Sequence, residues 1–350
     1  MARVVGSELT RAAAGNEYCS AELPDMHYTR VSIAPMMDRT DRHFRYLLRL
    51  LAPDVRLYTE MVVAQAAMQG DRMKLLRFAA CEHPIALQLG GSDPALLAQA
   101  AAIGEEWGYD EINLNIGCPS DRVQSGRFGA CLMAHPATVA ASVQAIQRSC
   151  NVPVTVKTRI GIDDHDEYTY LRDFVDDVAT AGCRMFIVHA RKAILAGLSP
   201  KENRSIPPLK YEYVYQLKQD FPELRIVLNG GVRDTAAAQA HLQYTDGIMI
   251  GRQAYSDPYW IAELQSRLLD KQPGEALPDR HEIVRQMEAY ARAEMAQGTR
   301  LHHITRHMLG LFAGQPGARN WRRFLTEGAR QPDAGADVLL RSLDYCQQSG

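Results

Sequence analysis

The sequence predicts an α/β protein: a (β/α)8 TIM barrel followed by a smaller C-terminal all-helical domain. Three observations predict it. Short apolar, β-branched runs recur eight times, at intervals of about 25–40 residues. The segments between them read as helices, so the strands run parallel with right-handed crossovers, and eight such units in about 240 residues suit one closed barrel. Beyond residue 280 helical periodicity continues with no strand signal.

In chain order, residues 1–25 read as a weakly ordered extension, with charges at Arg3, Glu8, Arg11, Glu17 and Glu22 and no apolar centre. The barrel is expected over residues 26–270. Its strands are predicted at Val31–Pro35, Leu57–Met61, Ile85–Gly90, Ile112–Ile116, Val154–Thr158, Met185–His189, Arg225–Asn229 and Ile248–Gly251. Helices are predicted over Pro94–Trp107 and Pro136–Cys150, each with proline in the first turn, where its missing N–H costs nothing. Residues 271–278, rich in Pro and Gly, read as a linker, and residues 280–346 as the helical domain.

Composition excludes several classes. No apolar run approaches the ~18–20 residues that span a bilayer, and the N-terminus does not read as a secretory signal. A cytoplasmic enzyme without a membrane partner is expected. Seven scattered cysteines, with no CxxC pair, argue against a disulfide framework, a zinc site or an iron–sulfur cluster. No metal is expected. Net charge is −2 with pI near 6.6, which for the chain as a whole speaks against nucleic acid.

Function in such barrels sits at the C-terminal ends of the strands. Read in order, those ends carry Pro35, Met36 and Met37; Glu60; Gln88; Asn113, Asn115 and Cys118; Lys157 and Arg159; His189 and Arg191; Asn229, Gly230 and Gly231; and Gly251 and Arg252. A single polar strand end means little, but this many aimed into one mouth is a candidate site. Asn229-Gly230-Gly231 and Gly251-Arg252 fall on the last two strands, the usual phosphate loops, where glycine lets backbone N–H groups approach a phosphate. A phosphorylated ligand is expected there. Lys157 and His189 would lie beside it, Lys157 suited to the negative charge of a reduced flavin ring. Gln88 would bond the ring edge, and Pro35, Met36 and Met37 would supply an apolar floor.

Cys118 lies in Asn-Ile-Gly-Cys-Pro-Ser, between Gly117 and Pro119. A nucleophilic thiolate needs a lowered pKa. A thiol at the reference value of about 8.5 stays protonated at neutral pH and serves as a general acid. No His or Lys adjoins it in sequence to activate a thiolate, which favours the acid.

These motifs together resemble the tRNA-dihydrouridine synthases. The matching pieces are Ala34-Pro-Met-Met-Asp-Arg-Thr-Asp41, Gln88-Leu-Gly-Gly91, Asn113-Leu-Asn-Ile-Gly-Cys-Pro119, Val156-Lys-Thr-Arg-Ile-Gly161, His189-Ala-Arg191, Asn229-Gly-Gly231 and Gly251-Arg252. The segment 197–208 and the segments 304–312 and 317–323 resemble the A-type subfamily. The resemblance implies an FMN barrel, a helical tRNA-binding domain and NADPH as reductant. It also implies reduction of uridines at positions 20 and 20a of the D loop. A monomer is expected. Carried over by motif, FMN contacts fall on Pro35, Met36, Met37, Gln88, Lys157, His189, Asn229, Gly230, Gly231, Gly251 and Arg252. The catalytic acid falls on Cys118, and tRNA contacts fall on Asn115, Lys201, Arg204, Arg319 and Arg322. The sequence departs from the pattern in its N-terminal extension and in Arg39, where many relatives have Trp.

Local charge answers the objection from net charge. Residues 300–330 hold six Arg against one Glu, and the loop after the sixth predicted strand holds Arg191, Lys192, Lys201, Arg204 and Lys210 against Glu202. Two other readings stay open. An FMN enzyme of the dihydroorotate dehydrogenase kind would share the barrel but have no use for residues 280–346. An RNA-binding barrel with a decayed site would leave Gln88, Lys157, His189 and Arg252 unexplained.

Overall fold

The computed structural model describes residues 30–269 and 276–346. The expected N-terminal extension, and residues 270–275 around the expected linker, lie outside the described residues. Nine parallel strand segments occupy eight positions around a barrel: β1 (Val31–Ile33), β2 (Leu57–Tyr58), β3 (Val62–Val63), β4 (Ile85–Gly90), β5 (Glu111–Ile116), β6 (Val154–Arg159), β7 (Met185–His189), β8 (Arg225–Asn229) and β9 (Gly247–Ile250). Neighbours pair in sequence order from β4 to β9, and β9 pairs with β1. A bridge between Ser32 and Arg56 brings β1 to the start of β2, with Ile33 N–H donating to Arg56 O at 2.9 Å.

The predicted second strand is split. Both β2 and β3 pair with β4, and the ladder breaks over Thr59–Met61. There the Thr59 hydroxyl, not a backbone carbonyl, accepts the Gln88 N–H at 3.1 Å. A side chain thus stands in for one ladder bond where the strand pairing is interrupted. The helices run slightly shorter than predicted, over Pro94–Glu106 and Pro136–Gln147. The first is capped by Asp93, whose carboxylate accepts from Ala95 and Leu96 N–H, as a helix start requires.

The alternation of each strand sends one residue set into the barrel and the other against the surrounding helices. The inside is chemically divided. Tyr58, Ala86, Met185, Ile187, Val227, Met249 and Ala34 form a small interior cluster. Beside it, across β2, β4, β5 and β6, the interior is polar: Arg56, Gln88, Glu111, Asn113 and Thr155 are all buried.

Residues after 276 form the helices Arg280–Ala296, Leu301–Thr305, Ala318–Gly328 and Asp337–Ser342. Their apolar faces, with Met287, Ile304, Trp321 and Leu325, join the same core as the barrel's outer helices. Ionic contacts fasten this region beside the mouth. Asp41, the N-cap of the helix Arg42–Leu51, accepts from Arg306 at 2.5 Å and from His307 at 2.9 Å. Glu294 accepts from Arg42 at 2.7 Å and from Arg77 at 2.5 Å. Burial alone would raise the Asp41 pKa; the His307 hydrogen bond, the nearby imidazoles and Arg306 outweigh it and hold the carboxyl well below the usual range. No helix among the described residues is long and apolar enough to cross a membrane.

Candidate active site

The site is built from the ends of the strands upward. After β1, residues 36–40 fold into a tight turn with Asp38 at φ 62°. Thr40 staples it, its hydroxyl accepting Met36 N–H at 2.9 Å. Pro35 and Met36 are half-buried there, and Met37 is 55% exposed. A Cβ on Gly251 would rest at 3.7 Å from the Ala34 Cβ and 3.9 Å from the Met36 sulfur, so the ends of β9 and β1 face each other.

The Cys118 loop is held from three directions. Asn115 Oδ1 accepts the N–H groups of Gly117 (3.1 Å) and Cys118 (3.0 Å). Arg159 Nε donates to Gly117 O at 3.1 Å. Ala130 N–H donates to Cys118 O at 2.9 Å. That last approach needs Gly129, at φ +78°, where a Cβ would stand 2.5 Å from Cys118 O. The thiol itself is half-buried, with Ser120 Oγ at 3.4 Å.

Arg159 also gives Nη1 to Lys192 O and Asn203 O, at 3.1 and 3.0 Å. Two of its donor groups therefore bind loop carbonyls. Arg159 is thus engaged in holding two loops together.

Beside Asn115, at the ends of β6 and β7, two polar groups lack partners. Among the described residues, neither the Lys157 ammonium nor the His189 imidazole has a hydrogen-bond or ion-pair partner. Burial, reinforced by Arg159 and only partly opposed by Cys118, draws the Lys157 pKa down to about 7. Burial and the charges of Arg159, Lys157, Arg191 and Arg252 push His189 well below its ordinary value, so its ring is neutral at neutral pH. Arg204 feels Arg252 and Arg39 beyond its own burial, and Arg191 feels Arg252 and Arg233. Arg159, Arg191, Arg204 and Arg252 have no carboxylate partner among the described residues. This donor set suits an anion.

Backbone shape suits one too. Gly230 and Gly231 lie at φ +113° and +75°. A Cβ on Gly230 would come within 2.6 Å of the His189 ring, and one on Gly231 would overlap the Tyr211 hydroxyl. Asn229 turns its amide inward to Met249 O, at 2.8 Å. Arg252, exposed, gives Nη2 to Arg204 O at 3.0 Å, tying the end of β9 to the basic loop after β7. The buried Lys157 and neutral His189, both without partners, beside a glycine cradle and arginines that lack carboxylates, fit a phosphorylated, negatively charged cofactor such as FMN.

The basic loop is less basic than its sequence. Lys192 and Lys210 both pair with Asp166, and Arg191 donates to Pro207 O. Lys201 and Arg204 remain as its exposed, unpaired cations among the described residues. Asn203 pins the loop: its Oδ1 accepts Ile194 N–H at 2.7 Å, and its Nδ2 donates to Ile194 O and Leu198 O. Sequence reading missed Asn203, Thr40 and Gly129, which shape the site without facing it. Arg319 and Arg322 stand apart from the mouth, on the exposed face of the helix Ala318–Gly328, whose other face buries Trp321 and Leu325. Gln88 is buried, with its amide bonded to Asn113 and Asn115.

Among the described residues no cluster of His, Cys, Asp or Glu could hold a metal ion, and no two cysteines are bonded. Comparison with known proteins agrees on one family. The family model for dihydrouridine synthase (Dus) matches residues 32–346. A tRNA-dihydrouridine(20/20a) synthase of Xanthomonas campestris pv. campestris is 57% identical over 310 residues, covering 89% of this chain and 91% of the relative. Proteins of the same name from Escherichia coli K12 and from Synechocystis are each 55% identical. Their matches cover 92% and 91% of this chain, and 93% and 95% of theirs. With a family model spanning most of the chain and relatives this similar along nearly their whole length, the chain belongs to the dihydrouridine synthase family.

Proposed function

We propose that this protein reduces the C5=C6 bond of uridines 20 and 20a in the tRNA D loop to 5,6-dihydrouridine. Bound FMN, reduced by NADPH, would supply the hydride that reaches C6. The observation that carries the reading is the convergence, in one mouth, of a clamped thiol at Cys118 with the unpartnered Lys157 and His189 and the glycine cradle of Gly230 and Gly231.

Gly230, Gly231, Gly251 and Arg252 would hold the phosphate. Lys157, His189, Asn229 and Gln88 would meet the ring system, over Pro35, Met36 and Met37. Neutral His189 can donate or accept without adding charge, whereas Lys157 gains a proton as an anion approaches, because its pKa of about 7 lies near ambient pH. Hydride addition at C6 places negative charge on C5 and its conjugated carbonyl. The nearby cations of Lys157 and Arg159 stabilise that charge. The Cys118 S–H gives its proton to C5, and solvent returns one to sulfur. The target base must leave its stack to reach the mouth. Lys201 and Arg204 at the rim, and Arg319 and Arg322 on the distal helix, would hold phosphates. Asn115 keeps an amide hydrogen for the base. The enzyme would work in the cytoplasm, as a monomer.

The test is Cys118→Ala. The variant should keep its yellow flavin and its NADPH oxidation, and lose tRNA product by about a thousandfold, within the range for a general acid. Nucleoside mass spectrometry mapped by position reads the product in tRNA from a strain lacking the enzyme. Parental rates of dihydrouridine formation by this variant would rule out the acid. A purified protein that takes up no FMN would rule out the flavin.

A further inference from the structure

A line of hydrogen bonds runs through the barrel from the start of β5 to the loop that carries Cys118. Glu111, fully buried, accepts from Arg56 Nη1 at 2.9 Å, from the Tyr58 hydroxyl at 2.8 Å and from the Thr155 hydroxyl at 2.6 Å. Thr155 Oγ1 accepts Asn113 Nδ2 at 2.7 Å, and Asn113 Oδ1 accepts Gln88 Nε2 at 2.8 Å. Gln88 Oε1 accepts Asn115 Nδ2 at 2.9 Å, and Asn115 Oδ1 accepts the Gly117 and Cys118 N–H groups. Strand register makes this possible: Gln88 lies opposite Asn113, and Asn113 opposite Thr155.

The two ends of this line differ in kind. The Glu111 carboxylate only accepts, and the backbone N–H groups at Cys118 only donate. Each amide between them therefore has one orientation that satisfies both neighbours. Turned over, Asn115 would set its NH2 against two N–H donors and release the loop. Packing does not demand a polar column, because β7, β8 and β9 fill their share of the interior with Met185, Ile187, Val227 and Met249. A buried Arg56–Glu111 pair at the far end is no strong source of stability either, since desolvation opposes it.

We propose that Thr155 and Glu111 are positioning residues for Cys118. Through the amides of Asn113, Gln88 and Asn115 they fix the backbone that aims the thiol at its target. The proposal rests on the reading of Cys118 as the proton donor. Thr155 is the link to cut: its hydroxyl must donate downward and accept from above at once, whereas valine, of nearly the same shape, does neither.

The experiment compares the full-length protein with Thr155→Val and Thr155→Ser, with Thr155→Ala as the second cut should valine fail to fold. Alkylation of Cys118 by iodoacetamide is followed across pH on its own peptide by mass spectrometry, with exposed Cys81 as the internal reference. Thr155→Val should change the Cys118 rate by about fivefold or more and leave Cys81 unchanged. It should lower kcat on tRNA by about tenfold with KM within about twofold, as a misaimed group does. Thr155→Ser should restore both. Parental Cys118 alkylation and kcat in the folded Thr155→Val or Thr155→Ala protein would overturn the proposal, as would a loss that serine does not rescue. The alkylation readout needs no tRNA. If Cys118→Ala still made product while Thr155→Val altered Cys118 alkylation, the acid reading would fail and the positioning would stand.

Discussion

Two sets of polar residues at the barrel mouth are used in opposite ways. On the β4–β6 side, Gln88, Asn113, Asn115 and Thr155 bond to one another and to the Cys118 loop. Beside and beyond them, at the ends of β6 and β7, Lys157 and His189 meet no partner among the described residues, and Arg252 bonds a loop carbonyl. A buried polar group without a partner is costly, so a fold keeps one where a ligand will complete it. The satisfied set is scaffold for one thiol. The unsatisfied set is where the proposed cofactor would bind.

Removing a partner in the satisfied set should cost most. Glu111→Ala leaves the Arg56 guanidinium buried and uncompensated, and urea unfolding should show a loss of about 3–5 kcal/mol. A loss under about 1 kcal/mol would mean that the column carries little strain and that the two sets are less distinct than described.

Gly231→Ala strikes the unsatisfied set through its backbone. A Cβ there meets the Tyr211 hydroxyl at φ +75°. Strain of about 1–3 kcal/mol is expected, with most of the bound flavin lost on purification. Normal flavin content would move the phosphate site elsewhere.

Lys157 gives the comparison a sign. Its folded pKa, about 7, lies below its ordinary 10.5. Between those values the unfolded chain binds more protons than the folded one, so stability of the flavin-stripped protein should rise with pH from 7 toward 10.5. Lys157→Met should remove that slope and stabilise the stripped protein at pH 6, while weakening flavin binding. A destabilised Lys157→Met protein would show that Lys157 already has a partner.

The smallest effect belongs to the distant helix. Arg319→Ala and Arg322→Ala should each reduce the salt dependence of tRNA binding by about one counterion and leave flavin binding and Cys118 chemistry alone. An unchanged salt slope would confine RNA contact to the barrel rim.

Sequence alone determined the eight strand positions, because each is a β-branched run bounded by turn residues, and its last residues can face only the mouth. Thus Lys157, His189 and Gly230 were legible as neighbours although more than thirty residues separate each from the next. It also singled out Cys118 among seven cysteines as the proposed proton donor, through Gly117 and Pro119. What it left undecided was which of the strand-end groups are already satisfied. That depends on register between strands, which sets Gln88 beside Asn113 and Thr155, and on loops returning from far along the chain, which bring Asn203 to Arg159 and Asp166 to Lys192 and Lys210. Linear charge counting overstated the basic loop for the same reason. A side chain's chemistry is written in the sequence, but whether that chemistry is already consumed by a neighbour is decided only when the chain closes on itself.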